Sequence, residues 1–169
     1  RFYCDCFTFY REFELLELRL TYLWDVVDCF VIVEGSTTYA GVANPSKFPE
    51  IRERCSWALD KIMFVRAELD PMPPSPWVNE ALQRSAIEEG FNYRNDSWLF
   101  SISCVDEIPR KDFIVSVKEK GLETPVLLEL NNHYYSLNGQ VIGSDSKFQC
   151  PVVAPTSVLL KKTAHSVWV

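Results

Sequence analysis

The sequence predicts an α/β domain with a mostly parallel sheet and helices on both faces. Three observations predict it. Strand-like and helix-like segments alternate from the N-terminus to about residue 120. The run Cys29 to Glu34 (Cys-Phe-Val-Ile-Val-Glu) is apolar, rich in β-branched residues and bounded by Gly35, the pattern of a buried parallel strand. Hydrophobic residues make up 47% of the 169 residues, enough to fill one core. A single domain over residues 1–169 is expected.

In order, Phe2 to Phe7 reads as the first strand. Glu12 to Trp24 reads as a helix, because Phe13, Leu16, Leu20 and Leu23 share one face and Leu15 and Leu18 widen it. The Cys29–Glu34 strand follows, then a loop over 35–49 rich in Gly, Ser, Thr, Asn and Pro. A helix over Lys47 to Leu59 and a strand over Lys61 to Arg66 come next. Asp70 to Pro76 carries four prolines and is a stiff connection of the kind that shapes a cleft. Ser75 and Pro76 open a helix that Gly90 closes. Ser97 to Ser103 is a strand, and Pro109 opens a helix that runs to Lys120 and is capped by Gly121. Val126 to Leu130 and His133 to Leu137 read as a hairpin joined at Asn131-Asn132. Asn138-Gly139 gives a further turn, and the tail from Pro151 is extended and apolar.

Composition narrows the function. A net charge of −6 and a pI of about 5.0 argue against nucleic acid as a partner. The longest apolar run, Val26 to Val33, is broken by Asp28 and is too short to cross a bilayer. No signal peptide or anchor is evident, and because the first residue is Arg1, a segment upstream is expected. The six cysteines form no Cys-x-x-Cys pair, and with two histidines a structural zinc site is not expected. A nucleophile pair of Cys104 with His133 or His165 has no support in the spacing. There is no Gly-rich phosphate loop. Asn95-Asp96-Ser97 matches the N-glycosylation pattern, which is common by chance.

In parallel sheets, ligands bind outside the carboxyl ends of the strands. Three strands are expected to deliver acids there: Asp5 after the first, Glu34 after the second, Asp106 and Glu107 after the fourth. Adjacent carboxylates past a buried strand are costly unless used. A divalent cation carrying a diphosphate would use them, since Mg²⁺ or Mn²⁺ takes one or two carboxylates plus phosphate oxygens and water. The alternative is that both acids favour the N-terminus of the following helix. Glu80 and Arg84 stand four apart, in the order that favours an ion pair. Read from sequence, that pair is solvated; the functional alternative aims the guanidinium at a phosphate.

Several of these segments together resemble glycosyltransferase family 17. They are Asp5 to Leu20 (Asp-Cys-Phe-Thr-Phe-Tyr-Arg-Glu-Phe-Glu-Leu-Leu-Glu-Leu-Arg-Leu), Val27 to Glu34, and Thr38 with Gly41. Pro76-Trp77, Glu80, Gln83-Arg84, Ala86-Ile87, Ile102 to Arg110 and His133 to Asn138 continue the match in register. The resemblance implies a GT-A-type, Rossmann-like fold, a UDP-sugar donor (UDP-GlcNAc) and a divalent cation (Mn²⁺ or Mg²⁺). It also implies inverting transfer to a hydroxyl of a glycan or glycoprotein acceptor. On this resemblance Asp106 is the metal ligand, as the second acid of the family's Asp-x-Asp. Glu34 is the candidate for the nucleoside, and Arg84 for the diphosphate or for holding an acid in place. Asp5 and Cys104 are grouped with the donor-binding residues. Glu107 joins Asp106 in the candidate chemistry, with a supporting role expected ahead of a base.

The chain departs from the family pattern at Cys104, which stands where the family has Asp, and a thiol is a soft ligand for Mn²⁺ or Mg²⁺. Arg11 replaces a usual Asn. Family members carry further sequence downstream, expected to help form the acceptor side, so a minimal member, a degenerate one or one truncated at its C-terminus is expected. A second reading follows: a GT-A-like module that binds UDP-sugar or glycan without transfer. The resemblance implies the Golgi lumen for a eukaryotic member and the cytoplasm for a bacterial or viral one.

Overall fold

A computed structural model describes residues 1–91, 97–133 and 138–158. Six strands form one sheet in the order β3-β2-β1-β4-β6-β5. They are β1 (Tyr3–Phe9), β2 (Cys29–Gly35), β3 (Ile62–Ala67), β4 (Leu99–Cys104), β5 (Val126–Asn131) and β6 (Lys147–Pro155). The helices are α1 (Phe13–Leu23), α2 (Phe48–Arg54), α3 (Pro76–Ser85) and α4 (Lys111–Lys120). Strands β1 to β4 are parallel to one another, and β6 runs antiparallel to both β4 and β5. The α/β class and the mostly parallel sheet are those expected, and they are consistent with a GT-A-like fold.

Alternation along the strands sorts the core into two layers. Tyr3, Phe7, Phe9, Phe30, Ile32 and Leu99 face one side, where α1 brings Leu16, Leu20 and Leu23, α2 brings Ile51, and α4 brings Ile114 and Val117. Each such buried side chain contributes roughly 1.5–3 kcal/mol. Cys4, Cys6, Val31, Val33, Val65, Phe100 and Ile102 face the other side and meet Ala86 and Ile87, in the 3-10 turn that follows α3. Gly90 belongs to that turn, and a Cβ there would stand 2.6 Å from Val31 Cγ1. The turn thus lies against β2, and Gly90 serves close approach; α3 ends at Ser85, so Gly90 does not close it as expected.

The structure corrects three further boundaries. Strand β1 runs on to Phe9, so Asp5 lies inside it and not after it. The expected helix over 47–59 is a short α2 followed by a 3-10 turn, Ser56–Lys61. Helix α4 begins at Lys111, with Arg110 extended at the N-cap position. Gly121, at φ 84°, closes it as expected.

The hairpin is the larger correction. The partner of β5 is β6, in a register that sets Asn131 opposite Lys147 and Val126 opposite Val153. His133 instead forms an isolated antiparallel bridge with Gln140, around the Asn138-Gly139 turn. Residues Val152 to Pro155, expected as tail, pair with β4 and build the sheet outward. Asn95 and Asp96 of the glycosylation tripeptide, residues 134–137 of the expected second hairpin strand, and His165 lie outside the described residues.

Candidate active site

Strand β1 is flanked by β2 on one side and β4 on the other, so the chain winds both ways from it. The carboxyl edge at such a switch point is where open α/β sheets hold ligands. A cavity of about 420 Å³ opens there, within the range of small-molecule sites. Thr8, Phe9 and Tyr10 reach it from the end of β1, Gly35, Thr37 and Thr38 from β2, and Cys104, Val105 and Asp106 from β4. Glu12, Leu15, Tyr39, Asn44 and Gln83 complete the wall.

Two of the sequence-selected residues therefore face the cavity: Cys104 and Asp106. Asp106 is exposed. Cys104 is half-buried, with its sulfur 3.3 Å from Arg84 Nη2 and 3.6 Å from Thr8 Oγ1. Burial, then the nearby Glu107 carboxylate, pushes the Cys104 thiol up, and this outweighs the pull of Arg84 and Thr8. The group at position 104 is thus a neutral thiol at physiological pH. Burial, with Cys104 behind it, likewise pushes the Tyr39 phenol up to about 12.

The other four sit behind the wall. Asp5 is wholly buried: Oδ1 accepts from Arg19 Nη2 and Ser101 Oγ at 2.7 Å each, and Oδ2 accepts from Arg19 Nε at 2.7 Å. Its place inside β1, on the α1 side, gives it no path to the cavity. Glu34 ends β2 but turns to its neighbours, where Oε1 accepts from Lys47 N at 2.8 Å and Oε2 from Arg66 Nη1 at 2.5 Å. It fixes the 44–47 loop. Glu107 is buried, and Oε2 accepts from Cys104 N at 2.5 Å and from Cys150 Sγ at 2.9 Å. The adjacent acids therefore diverge, Asp106 toward the cavity and Glu107 toward β6.

Arg84 corrects the solvated reading of its ion pair. Only 2% of its side chain is exposed, against 14% for Glu80, and the two meet at 3.0 Å. Burial works against the Arg84 charge, but Cys104 and Glu80 more than offset it and its pKa is raised. Helix α3 presents Arg84 to the back of Cys104, and the acid it meets is Glu80 of its own helix.

Sequence reading missed Arg19. It is fully buried in α1, its guanidinium pairs with Asp5, and it reaches the backbone that follows β4. The signal was available: Leu16, Arg19, Leu20 and Leu23 are spaced as one apolar face, so a charge at position 19 had to be buried. Reading also missed Asn79, which ties two loops to α3. Its Nδ2 donates to Asp70 O at 2.8 Å and Tyr39 O at 3.3 Å, and its Oδ1 accepts from Asp70 N at 2.8 Å. The proline-rich segment thus shapes the cleft by bracing the Thr38–Tyr39 wall from behind.

Among the described residues, no group of three or more His, Cys, Asp or Glu side chains converges as a metal site. The cavity offers a divalent cation the Asp106 carboxylate, a hard oxygen ligand, beside a neutral thiol that ligates poorly. That donor set fits a cation that arrives with phosphate oxygens and not one held by side chains alone.

The family model for glycosyltransferase family 17 matches residues 1–151. The chain belongs to glycosyltransferase family 17. This family 17 chain is 32% identical to the human (Homo sapiens) beta-1,4-mannosyl-glycoprotein 4-beta-N-acetylglucosaminyltransferase, over 64% of its length and 22% of that protein. The rat (Rattus norvegicus) protein of that name is 32% identical and the mouse (Mus musculus) one 31%, with the same coverage. The family 17 chain thus spans 22% of the length of these curated relatives. No helix among its described residues is long and apolar enough to cross a membrane.

Proposed function

We propose that this chain forms the donor side of a glycosyltransferase that uses a UDP-sugar, UDP-GlcNAc, together with Mn²⁺ or Mg²⁺, and transfers the sugar with inversion to a hydroxyl of a glycan or glycoprotein. The observation that carries the reading is the exposed Asp106 carboxylate in a cavity at the switch point of a family 17 sheet. Asp106 would hold the cation, which would supply positive charge to offset the charge that develops on the leaving UDP. Around it, this chain's own groups have separate tasks. Asp106 holds a hard ligand toward the cavity. Arg84 adds positive charge behind position 104. Glu107, bonded to Cys104 N and Cys150, keeps the turn closed. Tyr10, Tyr39 and Leu15 give the cavity apolar surface that excludes water.

Cys104 supports a second reading, donor binding without transfer, because the neutral thiol leaves one carboxylate where the family pattern has two. Calorimetric titration of UDP-GlcNAc with Mn²⁺ and with EDTA separates the two. Mn²⁺-dependent binding is expected in the native chain, is lost at least tenfold in Asp106→Asn, and tightens in Cys104→Asp. Release of UDP in the presence of a glycan acceptor marks transfer. Binding indifferent to EDTA and to Asp106→Asn would sink the donor-site assignment.

A further inference from the structure

The backbone that leaves β4 makes an irregular turn, and its carbonyls are gathered by one side chain. Arg19 Nη1 donates to Cys104 O at 2.8 Å, Val105 O at 3.1 Å and Glu107 O at 3.2 Å. Its Nη2 donates to Ser103 Oγ at 2.8 Å, and Asp5 holds the other edge of the guanidinium. Phe7 lies beneath it, ring centre 4.3 Å away. The remaining carbonyl of the turn, that of Asp106, accepts from Ile108 N at 3.1 Å. Every carbonyl from 104 to 107 therefore has a donor, and three of the four share one nitrogen.

A buried ion pair alone is a weak source of stability, since an apolar pair of similar size often does as well. Only a planar fork with five donors, locked by Asp5, serves three carbonyls and a hydroxyl together. The consequence is a turn in which Asp106 faces the cavity while Glu107 faces Cys150.

We propose that Arg19 is a positioning residue, which holds the carbonyls of Cys104, Val105 and Glu107 so that the turn presents Asp106 to the cavity. Its importance for donor binding rests on the donor-site reading above; the hold on the turn does not.

The test uses the native chain, Arg19→Lys and Ser101→Ala. Lysine keeps the charge beside Asp5 but loses the fork. Ser101→Ala loosens the same buried cluster and leaves the carbonyl contacts intact. Alkylation by iodoacetamide, resolved by peptide mass spectrometry, reads the turn at Cys104, with the half-buried Cys29 as reference. Arg19→Lys is expected to speed Cys104 labelling fivefold or more and to leave Cys29 within twofold. Ser101→Ala leaves both within twofold. An unchanged Cys104 rate in Arg19→Lys, or an equal rise in Ser101→Ala, overturns the proposal.

Hydrogen exchange on the native chain needs no variant to fold. The amides of Glu107 and Ile108 are expected to exchange at least tenfold below their intrinsic rates, and exchange at those rates overturns the proposal equally. Calorimetry with UDP-GlcNAc and Mn²⁺ then reads the link to the donor, expected at least tenfold weaker in Arg19→Lys. Should the native chain bind no donor, the donor reading fails, while labelling and exchange still decide the role of Arg19.

Discussion

At position 104 a neutral thiol stands 3.3 Å from a buried guanidinium. Arg84 pairs with Glu80 at 3.0 Å and also touches the Cys104 sulfur. An aspartate at 104 would set a carboxylate beside the Arg84 guanidinium, and the cost of the substitution should depend on Arg84. In a double-mutant cycle of Cys104→Asp and Arg84→Met, read by urea denaturation, the coupling is expected at about 1–3 kcal/mol in favour of the pair. A coupling below about 0.5 kcal/mol would mean that Arg84 does not govern position 104. This residue-scale contrast also explains what the sequence could and could not reveal about the site. Asp106 was legible because a strand end followed by a polar turn is a local pattern, and Cys104 only through the resemblance to the family. Arg19 and Asp5 were not selected as partners because their pairing joins β1 to a helix face, and only the packed structure puts the two charges together. Glu34 and Glu107 were legible as strand-end acids, yet where each carboxylate points is decided by neighbours distant in sequence, Arg66 and Cys150.

Among the elements, α3 differs from the other helices. Its buried residues are Asn79, Gln83 and Arg84, whereas α1 and α4 bury mainly aliphatic side chains. It works as a polar brace: Gln83 Nε2 donates to Val33 O at 2.8 Å, and Asn79 joins the proline-rich segment to the cavity wall. Asn79→Ala is expected to destabilise the chain by about 2–3 kcal/mol, because it removes several bonds and leaves buried backbone groups unsatisfied. Urea denaturation with an unchanged m-value checks this, and a loss below about 1 kcal/mol would show that water replaces the brace. The elements up to α4 were legible because each carries its own signal, an apolar β-branched run or an amphipathic face between turn residues. The pairing of β5 with β6 was not. It spans an intervening connection, and Pro151 argues by itself against an internal strand. Asn131-Asn132 supplied a local hairpin signal that the distant partner overrode.

For the molecule as a whole, the sheet buries groups that must stay neutral. Burial, with Asp5 nearby, pushes the Cys6 thiol well above its ordinary 9.0, burial also raises the Cys55 and Cys104 thiols, and burial raises the Tyr3 phenol above its ordinary 10.0. In the unfolded chain these groups lose their protons at their ordinary values. Between the unfolded and the folded pKa the native state holds more protons than the unfolded state, so stability falls as pH rises through that window. Below about pH 9 the contribution is complete. Thermal melts from pH 7 to 11 should therefore be level to about pH 8.5 and then decline. Loss of lysine charge acts in the same direction at the upper end, so a variant must isolate the thiol. Cys6 is fully buried between β2 and β4, and Cys6→Ala removes its titration while keeping an apolar side chain. The slope of stability against pH between 9 and 10 should flatten by up to ~1.4 kcal/mol per pH unit in that variant, the value of one proton. An identical slope with and without Cys6 would mean that this thiol ionises inside the folded sheet, and the neutral-core account would then fail at its best-buried site.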